Sequence, residues 1–208
     1  MSAPQDRRLS RRVPVITLSV VSAALVVAVF PRLAPTLVYD RAAILSGEVW
    51  RLFTGHWVHF SKSHLTYDLL AFGIAGWMVE AKGLRGYGWL CLIAPWTINL
   101  TLLALEPDLR YCGGLSGLAT CVITFLALSG LRDPPPWRWL CALALTGIIA
   151  KIALEMTTGH LLLARADTVP FVPVSTSHLA GVLTALLFDY EIRNPLVSVL
   201  LFQFLPQK

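Results

Sequence analysis

Two short stretches of this sequence hold the side-chain types needed for nucleophilic chemistry. Gly113-Gly114-Leu115-Ser116-Gly117 opens one apolar segment, and Ser175-Thr176-Ser177-His178-Leu179-Ala180-Gly181 opens another. A serine hydroxyl is a weak nucleophile until a neighbouring base, held at roughly 3 Å, takes its proton. Histidine is the usual base, and an ionisable side chain inside a membrane span is costly enough to read as functional. The glycines at 113, 114 and 117 permit a tight entry and close backbone approach. A serine at a helix start also lies beside free backbone N–H groups, which together with the helix dipole can stabilise a developing oxyanion. Each residue has a plainer reading. Ser116 could be a small packing residue between membrane helices, and His178 could be satisfied by a neighbouring carbonyl. The pattern is not a G-x-S-x-G nucleophile elbow, because position 118 is Leu and no strand pattern precedes the serine.

A second polar group runs His56-x-x-His59-x-x-x-x-His64-x-x-x-Asp68. His64 and Asp68 are one helical turn apart and share a face. His and Asp are metal ligands, but the spacing fits no familiar zinc pattern. The alternative is polar support and oxyanion donation around the serine. No cofactor is called for.

The elements that must position these residues are set by composition. The chain has 208 residues, 56% hydrophobic and 14% charged, with mean hydropathy +0.66. Soluble domains carry about 25% charged residues, and several apolar runs here approach the roughly 20 residues that cross a bilayer. The fold class is therefore all-α, a polytopic membrane bundle. The net charge of +5 is no nucleic-acid signal, since no basic stripe is interleaved with aromatics. Cys91, Cys121 and Cys141 lie in apolar runs and only Cys112 in a loop, which is not a disulfide framework.

Six spans are predicted, at residues 13–30, 64–80, 87–105, 118–131, 137–156 and 177–190. The first resembles a signal peptide, but no small-x-small cleavage site follows it, so it reads as an uncleaved helix. Residues 1–12 form a basic tail, 13–194 the membrane domain, and 195–208 a tail whose apolar piece, 196–205, is short for a span and reads as interfacial. Residues 31–63 form a long mixed loop. Lys151 and Glu155, spaced i,i+4, read as an ion pair facing the bundle. Ten Lys and Arg residues fall on the side of the N-terminal tail and six on the other. The positive-inside rule then puts both termini in the cytoplasm. Spans four and six run in the same direction, so Ser116 and His178 start at similar depth on the outer side. Gly181 and Ala185 offer a small-xxx-small face that would let span six press on another helix; against span four, this brings His178 to Ser116.

These residues resemble those of the rhomboid intramembrane serine proteases. The resemblance covers residues 47 to about 189 and rests on Trp50-Arg51, His59, His64, Glu80, Gly114-Leu115-Ser116-Gly117 and His178-x-x-Gly181. It implies a six-helix core, a Ser116–His178 dyad with no required aspartate, and an oxyanion hole of the Ser116 amide and His64. It further implies a water-filled cavity open to the outer face, capped by a segment before span six, and membrane-anchored protein substrates cut near the outer end of their helix. Three positions depart from the family pattern: Asp68 stands where an Asn is usual, Ser177 where Ala is usual, and Ala185 where Gly is usual. The run Thr54-Gly55-His56-Trp57-Val58-His59 and Asp68 look most like the bacterial rhombosortase subgroup, which implies the inner membrane and exported substrates ending in Gly-Gly, an apolar helix and basic residues. An Asp68 carboxylate would repel an oxyanion unless burial keeps it protonated or it turns to accept from His59 or His64; the second is favoured because a histidine lies one turn away. A non-catalytic client-binding protein and a transporter are the competing classes. The first has no need to retain both Ser116 and His178, and the second lacks a clear repeat.

Overall fold

The computed structural model describes residues 13–158 and 174–194. The predicted N-terminal tail, most of the loop before span six and the apolar piece at 196–205 lie outside the described residues. Among the described residues, six long helices carry the structure: α1 (Val15–Val29), α2 (Lys62–Ala81), α3 (Tyr87–Leu105), α4 (Ser116–Gly130), α5 (Trp137–Thr158) and α6 (Ser175–Arg193). Each coincides with a predicted span to within a few residues. By length and composition, α3 and α5 are each able to cross a membrane, and α1 with its bent continuation to Leu37 makes a third. α4 is apolar but shorter, while α2 and α6 bury polar residues: His64 and Asp68 on one, His178 and Asp189 on the other.

Helix boundaries follow from local chemistry. Pro31 stops α1, and the chain turns by 96° into the short segment beyond. Ser61 caps α2, its hydroxyl accepting from the His64 amide at 3.1 Å. Three prolines, 134–136, separate α4 from α5. The start of α1 has no side chain of its own as a cap. Glu80, at the far end of α2, serves instead: its carboxylate accepts from the Ile16 and Thr17 amides at 3.1 and 2.9 Å and from the Thr17 hydroxyl at 2.6 Å. An anion on the orphan amides of a helix start is favourable both as a hydrogen-bond acceptor and against the dipole.

α4 is the central element. It buries Leu118, Ala119, Cys121, Val122, Phe125 and Leu126 against α2, α3, α5 and α6, and its interface with α6 is the most extensive between any two helices. The outer faces of α1, α3 and α5 expose Val26, Leu100, Leu143 and Ile149. In water this would be an aggregation hazard; in a bilayer it is the expected lipid-facing surface.

The region between α1 and α2 is more ordered than a mixed loop. Residues Tyr39–Asp40 pair antiparallel with Tyr111–Cys112, just ahead of the serine. So a two-residue strand does precede Ser116; it is too short to show as an alternating pattern in the sequence. Asp40 caps a short helix, Arg41–Leu45, accepting from the Ala42 and Ala43 amides at 3.0 and 3.3 Å. Buried Arg51 donates to the Pro35 and Val38 carbonyls at 2.8 and 3.0 Å and pairs with Glu48 at 2.7 Å. Asn99 Nδ2, inside α3, donates to the Leu52 carbonyl at 2.7 Å. These bonds fasten the loop to the same end of the bundle as Ser116.

Candidate active site

Ser116 is the first residue of α4. The two glycines before it answer to definite steric demands. A Cβ on Gly113 would lie 2.6 Å from the Val58 carbonyl oxygen. Gly114 has φ +121°, and a Cβ there would lie 2.5 Å from His64 Cε1 and 3.1 Å from Asp68 Oδ2. Only glycine accommodates both that dihedral and that approach. The Leu115 carbonyl accepts from Ala119 at 2.7 Å, so the amides of Ser116, Gly117 and Leu118 have no partner within the helix and point out of its start.

His178 sits in the first turn of α6 and is 5% exposed. What brings it beside α4 is Gly181: a Cβ there would lie 2.3 Å from the Gly117 carbonyl oxygen and 3.2 Å from the Cys121 nitrogen. Gly117 in turn faces the Ser177 carbonyl, 3.1 Å from where its own Cβ would be. Ser116 and His178 therefore flank a close contact between the two helices. Ala185, one turn on, is fully buried. Gly181→Val is expected to force α4 and α6 apart, costing about 1–3 kcal/mol of stability as other overpacked cores do. Thermal denaturation in detergent measures this, and a Tm equal to that of the unmodified protein would remove Gly181 from the account.

On the other side of the serine loop stand His59, His64 and Asp68. Asp68 Oδ2 is 3.1 Å from His59 Nε2 and 3.2 Å from His64 Nε2, and all three side chains are almost wholly buried. The Leu115 amide also points at His59 Nε2, at 3.3 Å. An ionised carboxylate only accepts, so His64 Nε2 donates to it, while His59 Nε2 either donates to Asp68 or accepts from the Leu115 amide.

Two further ionisable residues belong to the site and were read from sequence only as an ion pair. On α5, Glu155 Oε2 is 3.0 Å from His178 Nδ1, and Lys151 Nζ is 2.8 Å from the same oxygen and 3.2 Å from Nδ1. The available signal was an ionisable pair on one face of an apolar helix; which neighbour it meets depends on helix rotation, which spacing does not give.

A cavity of about 930 Å³ joins these groups. Ser116, His178, His64, Asp68, Lys151 and Glu155 all line it, with Tyr67, Leu70 and Ile74 of α2 and Ala144, Gly147 and Ile148 of α5. α2 and α5 share this lining without packing substantially on each other. The cavity therefore has an apolar side as well as a polar floor.

His56, the remaining histidine of the second polar group, also lines the cavity, but its ring is engaged by backbone. Its ring bridges the Gly114 carbonyl (3.3 Å from Nδ1) and the Pro95 carbonyl (3.2 Å from Nε2), tying the serine loop to α3. Burial pushes its pKa below the usual histidine value, outweighing the two carbonyls that favour the charged form. A base with a lowered folded-state pKa holds fewer protons folded than unfolded, so its contribution to stability is present above the unfolded pKa and falls as pH drops below it. Tm is therefore expected to fall between pH 7 and pH 5, and to fall less in His56→Asn. Equal slopes in the two proteins would show that His56 does not carry this dependence.

The fold and site together define an all-α polytopic membrane protein with a serine, a histidine and buried carboxylates at one end of the bundle. A family model described as the Rhomboid domain matches residues 46–194, and the chain belongs to the rhomboid family. Among relatives, Rhomboid protease GlpG of Salmonella paratyphi A is 34% identical over 116 residues, covering 52% of this chain and 40% of that protein. The proteins of the same name from Salmonella newport and Salmonella heidelberg are 34% identical over 115 residues, covering 51% of this chain and 40% of theirs. The matched stretch thus spans well under half the length of these curated relatives.

Proposed function

We propose that this protein is an intramembrane serine endopeptidase in which Ser116 is the nucleophile and His178 the base. The observation that carries the reading is the placement of both residues at the Gly117–Gly181 contact, facing one cavity. His178 takes the Ser116 hydroxyl proton as Oγ attacks the peptide carbonyl carbon. The resulting oxyanion is met by the Ser116 amide and by His64. His178 then gives its proton to the departing amine, leaving an acyl-enzyme. Water repeats the sequence to release the acid and restore the serine. His59, Asp68, Gly114 and Gly117 shape and support this site. Membrane-anchored proteins are the substrates, entering between α2 and α5, where the cavity wall is apolar and the helices barely touch. The domain extends over residues 13–194 in a bacterial inner membrane, and the distribution of basic residues supports cytoplasmic termini and a site that opens outward.

The subgroup we favour is rhombosortase, on the run from Thr54 to His59 and on Asp68. Its substrates are exported proteins with a C-terminal Gly-Gly, an apolar helix and a basic end. A site set among helices acts only on a peptide that unwinds, and glycine lowers that cost through its weak helix propensity. Replacing the substrate's Gly-Gly by Ala-Ala or Leu-Leu is expected to reduce processing in cells, most for Leu-Leu. Unchanged processing of both would remove the subgroup assignment. The enzyme reading itself is tested by labelling the purified protein with a fluorophosphonate probe. Absence of labelling in folded protein would favour a client-binding role instead.

A further inference from the structure

We propose that Glu155 is a positioning residue that completes a Ser116–His178–Glu155 relay, holding His178 in the tautomer and orientation in which it serves as base. This deepens the protease reading and rests on it. Two heavy atoms meet at His178 Nδ1, Glu155 Oε2 at 3.0 Å and Lys151 Nζ at 3.2 Å, and those two are 2.8 Å apart. No proton arrangement of a neutral ring satisfies all three contacts, because Nδ1 either donates to Glu155 or accepts from Lys151. A carboxylate only accepts and an ammonium only donates. The shorter of the two contacts, Oε2 at 3.0 Å, is satisfied when Nδ1 carries a hydrogen, since two acceptors at that distance would repel. Were Lys151 to donate to Nδ1 instead, Glu155 would face a lone pair, and Nε2 would hold the ring hydrogen and be unable to act as base. Lys151 has a better partner in the carboxylate, with Oε1 at 2.7 Å and Oε2 at 2.8 Å. The ring hydrogen therefore lies on Nδ1, directed at Glu155, and Nε2 keeps the lone pair that a base requires.

Burial shows that this is not a casual surface pair. Glu155 is 2% exposed and His178 5%, while the Lys151 side chain is 27% exposed on the cavity side. An unpaired carboxylate at that position would be strongly disfavoured. Lys151 neutralises it and leaves it free to accept from His178. The helix geometry is suited to this, because Lys151 and Glu155 are one turn apart on α5 and present both groups to α6. The assignment also gives α5 a role in the chemistry although its packing on α6 is slight.

Four proteins test this: Glu155→Gln, Glu155→Asp, the double variant Lys151→Met/Glu155→Gln, and the unmodified protein. Each is assayed for kcat and KM on a membrane-anchored substrate, fluorophosphonate labelling rate, and Tm. Glu155→Gln is expected to lose about 10²-fold or more in kcat with KM nearly unchanged, in the manner of other enzymes that lose the group orienting a base. Labelling should slow in parallel. Glu155→Asp keeps the charge and should recover a large part of the loss. The double variant removes the ammonium left unneutralised beside His178. If Glu155 merely balanced Lys151, this variant would regain full activity; as a positioning residue is missing, it should remain slow. Full kcat in folded Glu155→Gln, or full recovery in the double variant, overturns the relay while leaving Ser116 and His178 in place. If the unmodified folded protein neither labels nor cleaves, the protease reading fails and the relay with it.

Discussion

Ser116→Ala is expected to abolish cleavage, with kcat falling by about 10⁴-fold or more, while Tm stays within a degree or two of the unmodified protein. The magnitude follows from the unit nature of such sites: removing nucleophile or base alone costs nearly as much as removing both. The small change in stability follows from the position. Ser116 is only half-buried at a helix start, and its side chain lines a cavity rather than the core. His178→Ala should be as inactive, and the double variant no worse than either. The assays are processing of a membrane-anchored substrate, fluorophosphonate labelling and thermal denaturation. Turnover at full rate by folded Ser116→Ala would end the assignment of Ser116 as nucleophile.

Asp68 carries the second large effect. Its Oδ2 faces His59 and His64 at nearly equal distances, and Gly114 leaves room for both ring and carboxylate beside the serine loop. An apolar replacement strands the buried His64 nitrogen, leaves His59 Nε2 only the Leu115 amide, and frees His64 to turn from the substrate oxygen. Asp68→Leu should therefore lose on the order of 10²-fold or more, as when an oxyanion contact is removed. Asp68→Asn should retain much of the activity. Its amide oxygen can accept from His64 while its NH₂ donates to His59 Nε2, which the Leu115 amide already approaches as an acceptor. Cleavage rates for both variants from pH 5 to 9, with Tm as the folding control, measure this. If folded Asp68→Asn is as inactive as Ser116→Ala, the carboxylate takes part in the chemistry directly.

The helices were legible in the sequence because a bilayer demands long apolar runs and the stops between them are prolines, glycines and charges. Gly114 and Gly181 were legible as signals of close approach, since glycine has few other uses at such positions. Other features depend on rotations and long-range closures that spacing does not encode. Glu80 closes the start of α1 across more than sixty residues. His56 stands in one polar run with His59 and His64, yet its ring is turned to Pro95 and Gly114. Glu155 was visible as a partner of Lys151 four residues away, but not as a neighbour of His178 on the next helix. The pairing of Tyr39–Asp40 with Tyr111–Cys112 spans two residues per strand and leaves no periodic trace.

The shortness of α4 has its own consequence. Fifteen residues at 1.5 Å each give a helix of about 22 Å, against a hydrocarbon layer of about 30 Å. Its far end is moored by Arg132, which follows at once and bonds Asp189 at 3.0 Å. On the proposed topology the deficit falls at the Ser116 end, which sets the hydroxyl beneath the opposite water surface, at the bottom of a well. On the proposed chemistry, both reagents must descend to it. The substrate bond arrives by unwinding, and water must already stand in the cavity when the acyl-enzyme forms. The lifetime of that intermediate is then set by hydration of the well as much as by the histidine, so added small amines that enter with the water would intercept the acyl group in competition with hydrolysis.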